Sequence, residues 1–125
     1  MVSVLVAEDH PDNRDLIERR LMRAGYAVRL ACDGAEAVRM ATAQRPDIIL
    51  MDLAMPVMGG MEAMRILRET PGFESLPIIA LTAHAMDSAR ADCLAAGFTA
   101  FAAKPVDFKL LFELLSAHAP RAQSL

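Results

Sequence analysis

The chain has 125 residues, 54% of them apolar and 23% charged, enough for one domain with a real core. Its net charge is −3 and no run of Lys and Arg exceeds two residues, so the electrostatic footprint of a nucleic-acid-binding face is missing. No apolar run approaches the roughly 20 residues that cross a bilayer, and residues 1–9 lack the basic start of a signal peptide. Cys32 and Cys93 show no metal-ligand spacing and are too few to staple a fold. Both are predicted to be buried thiols in a cytoplasmic protein.

Strand and helix signals alternate five times. Residues 2–7 are an apolar run, and Pro11, after His10, is pre-organised for the first position of a helix. That helix carries Leu16, Ile17 and Leu21 on one side and Arg19-Arg20 on a solvated one, and it stops at Gly25, a glycine C-cap. Residues 26–31 form a second, weaker strand. Asp33 and Glu36 have capping-box spacing and open a helix that runs to Ala43 and ends before Pro46. Residues 47–51 are the third strand. Gly59-Gly60 precedes a third helix with Met61, Met64 and Leu67 facing in, closed by Thr70-Pro71-Gly72. Residues 77–81 are the fourth strand, and Asp87 or Ser88 caps a helix that ends at Gly97. Residues 99–103 are a short fifth strand, and Asp107 caps a last helix with Phe108, Leu111, Phe112 and Leu115 at helical spacing. This alternation implies a doubly wound α/β domain, a parallel sheet with helices on both faces, over residues 1–119. Residues 120–125 form a short tail.

The run Ile48-Ile49-Leu50-Met51 ends in Asp52, with Pro56 shortly after. Open α/β sheets place their ligand sites at the carboxyl ends of buried parallel strands. The first strand delivers Glu8 and Asp9 to the same rim, the fourth delivers Thr82, and the fifth delivers Lys104 followed by Pro105. Two like charges about 4 Å apart repel by roughly 4 kcal/mol at an effective dielectric near 20. A hard divalent cation such as Mg²⁺ (or Mn²⁺) relieves that repulsion, and Lys104 neutralises the remainder. Such a site suits phosphoryl transfer: Asp52 attacks and becomes an aspartyl phosphate, while the cation, Lys104 and Thr82 each take a phosphoryl oxygen. A phosphatase would need a second acid two residues on. Ala54 stands there, so formation is supported and rapid breakdown is not.

Five ordered pieces, residues 4–9, 47–52, 55–60, 79–83 and 101–105, resemble the receiver domain of two-component response regulators over residues 2 to about 118. The resemblance implies a flavodoxin-like three-layer fold with strand order 2-1-3-4-5 and five helices. It implies Asp52 as phosphoacceptor, Asp9 as a direct Mg²⁺ ligand, Glu8 as a ligand through water, and the Ala54 carbonyl as a backbone ligand. Thr82 and Lys104 would sense the phosphoryl group, and Phe101 would be the switch aromatic, without the hydroxyl of the tyrosine frequent there. Ala54 and His84 would set the phosphoryl lifetime, and Lys104–Pro105 would be a cis peptide. The implied protein is a switch and not an enzyme. A histidine kinase or histidine phosphotransfer protein would donate, and output would pass through the face of the fourth helix, fifth strand and fifth helix. A weak or phosphorylation-dependent dimer is left open.

Other readings are narrower. A small enzyme, either an aspartyl-intermediate phosphatase or a flavin-binding redox domain, meets the wrong residue at Ala54 and an acidic loop at Glu8–Asp12 where a flavin phosphate wants hydroxyls. A vestigial interaction module would not need Glu8, Asp9, Asp52, Thr82 and Lys104 together. A receiver cut from a hybrid histidine kinase fits as well as a free-standing one, although Met1 directly before the first strand favours the latter. His10 is expected to be a helix-start residue rather than a metal ligand, His118 a favourable charge at a helix end, and Met55, Met58, Met61 and Met64 adaptable packing.

Overall fold

The structure, a computed structural model, describes residues 1–83 and 87–119. Its elements are β1 (Ser3–Ala7), α1 (Pro11–Arg23), β2 (Ala27–Ala31), α2 (Gly34–Ala43), β3 (Ile48–Asp52), α3 (Gly60–Glu69), β4 (Ile78–Thr82), α4 (Asp87–Ala96), β5 (Ala100–Ala103) and α5 (Phe108–His118). The strands form one parallel sheet in the order β2-β1-β3-β4-β5, the expected one. His84 and residues 120–125, the latter read as a tail, lie outside the described residues.

Side-chain alternation along the strands builds two cores. Leu5 and Ala7, Ile49 and Met51, and Ile78 and Ala80 face α2, α3 and α4, where Ala37, Ala41, Ala63, Met64, Leu67 and Cys93 meet them. Val4 and Val6, Ile48 and Leu50, and Ile79 and Leu81 face α1 and α5, against Ile17, Leu21, Leu111 and Leu115. The central strands β3 and β4 are buried at every position, as near-continuous apolar runs require. Alternation sorts the site residues too. Glu8, Asp52 and Lys104 continue the rows of Val6, Leu50 and Ala102, whereas Thr82 continues that of Ala80.

The helix ends follow the sequence closely. α1 and α4 each close in a Schellman arrangement: Tyr26 N donates to Leu21 O and Phe98 N to Cys93 O, with Gly25 and Gly97 at positive φ. The Asp33 carboxylate accepts from Glu36 N at 2.8 Å, and Asp107 accepts from Lys109 N and Leu110 N. Glu36 departs from the capping box, because its carboxylate accepts from Cys32 N at 2.7 Å rather than from the cap residue.

Several expectations need correction. Leu16 does not share the buried side of Ile17 and Leu21; it lies on the flank of α1 and is 40% exposed. Cys32 is exposed while Cys93 is buried, since Cys32 sits in the turn between β2 and α2 and Cys93 on the inner face of α4. Asp87 is the first residue of α4 rather than a cap before it. The strands β3 and β4 extend one residue further than expected, and this brings Asp52 and Thr82 into the ladder, paired with Leu81 and Ala103. Met55, Met58 and Met61 pack half-buried against the core around buried Met64, as predicted for adaptable packing. Arg19 and Arg20 are exposed, with the Arg20 guanidinium 4.2 Å from the centre of the Phe108 ring.

At the opposite end of the sheet, Arg68 near the C-terminus of α3 turns inward. Its guanidinium donates to Gly97 O at 3.0 Å, Phe73 O at 2.9 Å and Leu76 O at 2.7 Å, and reaches Thr99 Oγ1 at 3.4 Å. Burial pulls its pKa down. Those contacts tie the end of α3 to the loop before β4 and to the turn before β5.

Candidate functional site

Asp52 ends β3 only 4% exposed, and Glu8, one residue past β1, is fully buried. Lys104 follows β5 and must cross the end of β4 to reach them. Its Nζ lies 2.7 Å from Asp52 Oδ2 and 2.8 Å from Glu8 Oε1. Asp52 Oδ1 accepts from Ala54 N at 3.2 Å, and Glu8 Oε2 accepts from His10 N at 3.1 Å. The loop after Asp52 is held by Leu53 N to Leu81 O, Gly60 N to Leu53 O and Gly34 N to Met58 O. A Cβ at Gly60 would meet Asp52 O and one at Gly34 would meet Met58 O, so both glycines permit the close approach that fixes this loop. Inside the same loop Val57 has φ of 65°, with Met58 N bonded back to Pro56 O. A β-branched residue at positive φ is strained.

Three carboxylates converge here. Oxygens of Glu8, Asp9 and Asp52 can all lie within 4.8 Å of one another. One ammonium against three carboxylates leaves two negative charges. Burial pushes the Glu8 carboxyl above its ordinary range, and the Asp52 charge adds to this, outweighing Lys104 and the His10 N–H. Burial also disfavours the Lys104 ammonium, but its contacts with Asp52 and Glu8 win, and Lys104 is held above the usual lysine value. Glu8 Oε1, although beside Nζ, accepts no hydrogen bond of proper geometry. Hard oxygen donors and excess negative charge fit a divalent cation such as Mg²⁺ or Mn²⁺.

The structure brings together Glu8, Asp9, Asp52, Ala54, Thr82 and Lys104, which line one cleft with His10, Asn13, Leu53 and Ala83. Thr82 is 4% exposed, and its carbonyl accepts from Lys104 N at 2.8 Å. Phe101 is half-buried against the core beneath α3 and α4, level with Ala80 in the ladder. The Lys104–Pro105 peptide is cis, as the resemblance implies. His10 caps α1 from an exposed position, in keeping with a helix-start residue, and the carboxylate cluster does not include it. Two arginines escaped the sequence reading, Arg68 and Arg14. The only available signal was Arg14 itself, a cation at the start of a helix.

Residues 4–116 match the response regulator receiver domain family. The chain belongs to that family and is a receiver domain of two-component signalling type. It is 38% identical over 117 residues to an uncharacterized 14.6 kDa protein of Leptolyngbya boryana, covering 94% of this chain and 89% of that one. The sensor protein EvgS of Escherichia coli (strain K12) is 40% identical over 115 residues, which are 92% of this chain and only 9% of EvgS. The receiver domain of the Pseudomonas aeruginosa sensor histidine kinase PA1611, with magnesium coordinated in its active-site cleft, has 42% identity and a TM-score of 0.87, over 94% of this chain and 96% of that one. The receiver domain of Saccharomyces cerevisiae Ssk1, solved with the histidine phosphotransfer protein Ypd1, has 26% identity and a TM-score of 0.88, over 94% and 88%. No described helix is long and apolar enough to cross a membrane.

Proposed function

We propose that this receiver domain is a phosphorylation switch whose acceptor is Asp52. The observation that carries this reading is a buried carboxylate at a strand end, 2.7 Å from a lysine ammonium and within reach of two further carboxylates. An Asp52 oxygen attacks the phosphorus of a phosphohistidine; the new O–P bond forms as the P–N bond breaks, and its electron pair returns to the imidazole of the donor. Glu8, Asp9, Asp52 and the Ala54 carbonyl would hold Mg²⁺ or Mn²⁺, which supplies charge neutralisation at the phosphoryl oxygens. Lys104 exchanges its contact with Asp52 for one with a phosphoryl oxygen, and Thr82 binds another.

The reading treats the protein as a phosphoryl carrier rather than a turnover enzyme. The exposed Ala54 offers neither acid nor base to a water that would release the group, which favours a long-lived adduct. His84 would share control of that lifetime. The phosphodonor is a histidine kinase or a phosphotransfer protein, a role supported by the Ssk1–Ypd1 likeness. Output passes by protein binding through the α4–β5–α5 face, with Thr82 and Phe101 on the same side of the sheet to couple site and surface. The short span of EvgS that this chain covers supports a second arrangement, a receiver belonging to a hybrid kinase.

Incubation with acetyl phosphate, with and without Mg²⁺, followed by intact mass, tests the proposal. Wild type is expected to gain one phosphoryl group only with Mg²⁺, and Asp52→Ala none. An adduct of equal yield in Asp52→Ala overturns Asp52 as acceptor.

A further inference from the structure

The loop between β1 and α1 carries two of the three carboxylates, yet it leaves the sheet early. The β1–β3 pairing ends at Ala7 and Met51, and the last link toward β2 is Glu8 N to Ala31 O at 3.0 Å. Beyond that point the carbonyls of Glu8 and Asp9 turn to one side chain. Arg14 Nη1 donates to Glu8 O at 3.1 Å and to Asp9 O at 3.3 Å. A guanidinium Nη carries two hydrogens, so one nitrogen serves both carbonyls at a fixed angle.

Arg14 is poorly placed for the helix it sits on. It is the fourth residue of α1, where unpaired N–H groups and the helix dipole disfavour a cation, and it makes no ion pair among the described residues. Its contacts all go to the backbone of the two residues whose carboxylates point into the cleft. Groups that hold metal ligands from behind commonly change affinity by about 10- to 100-fold when removed.

We propose that Arg14 is a positioning residue: its guanidinium fork holds the β1–α1 loop so that Glu8 and Asp9 meet the cation in register with Asp52. The inference rests on the metal site proposed above. It assigns Arg14 no contact with the cation or the phosphoryl group. Removal of the fork therefore weakens cation binding and leaves the chemistry of the loaded site alone.

The test compares wild type, Arg14→Ala and Arg14→Lys in three measurements. Mg²⁺ binding by calorimetry without phosphodonor gives affinity. The Mg²⁺ dependence of phosphorylation by acetyl phosphate separates half-saturation from the saturating rate. Amide exchange of His10 in EDTA reports loop order without metal, because His10 N donates to the Glu8 carboxylate. Arg14→Ala is expected to weaken Mg²⁺ binding and raise half-saturation about tenfold, to keep the saturating rate within about twofold, and to speed His10 exchange. Arg14→Lys, which keeps the charge and loses the fork, is expected to remain several-fold weaker than wild type. Wild-type Mg²⁺ affinity in Arg14→Ala overturns the proposal, as does full recovery by Arg14→Lys, which would show that the planar guanidinium is not required. A wild type that binds no Mg²⁺ overturns the metal reading itself and this inference with it.

Discussion

Arg68 and the Glu8–Asp52–Lys104 group both hold charge where water is scarce, at opposite ends of the same sheet. Among the described residues Arg68 has no carboxylate partner, yet three carbonyls and a hydroxyl surround its guanidinium. Its demand is met entirely by the chain. The other cluster contains an ion pair at each hand of Lys104, but with Asp9 beside it three carboxylates face one ammonium and leave surplus negative charge. A buried charge with every partner present is structure. A buried cluster with surplus charge of one sign has the donor set that suits a ligand of the other.

Mutation should separate the two. Arg68→Ala strands acceptors in two loops at once and is expected to lower unfolding stability by about 2 kcal/mol, read from urea midpoints. It should leave phosphorylation of Asp52 intact, because no contact of Arg68 reaches the cleft. A variant of wild-type stability would break the contrast from the structural side.

Glu8 should behave oppositely in metal-free buffer. Its folded carboxyl sits above the ordinary value of 4.5, for which burial is the main cause. Such a group contributes stability that is fully present below its unfolded pKa and lost as pH rises through the folded one. Glu8→Gln is therefore expected to be more stable than wild type near neutral pH in EDTA, with the difference vanishing in acid. Urea unfolding at a series of pH values checks this, and a difference that grows toward acid would contradict it. A smaller gain is expected in the loop between β3 and α3. Val57→Asn should stabilise by about 1 kcal/mol, since asparagine tolerates the left-handed backbone that valine holds under strain.

Much of this could be read from the chain beforehand. The apolar runs gave the strands, and their carboxyl ends brought Glu8, Asp9, Asp52, Thr82 and Lys104 to one rim. Turn chemistry at Gly25, Asp33, Gly97 and Asp107 placed helix ends to within a residue or two. The failures have physical causes. Leu16 is one step round the helix from Ile17, and a short pattern cannot tell a buried stripe from its flank. Cys32 belongs to a turn, where residue type says little about burial. Arg14 and Arg68 escaped because arginine on a helix ordinarily faces solvent, and only contacts with distant carbonyls show otherwise.

The most direct test of the central claim is fluorine NMR of the protein with beryllofluoride, a mimic of the phosphoryl group. Resonances of bound beryllofluoride that require Mg²⁺ and vanish in Asp52→Ala would show the surplus charge at the carboxyl end serving one acceptor. Binding that persists in Asp52→Ala, or that ignores Mg²⁺, would contradict the account.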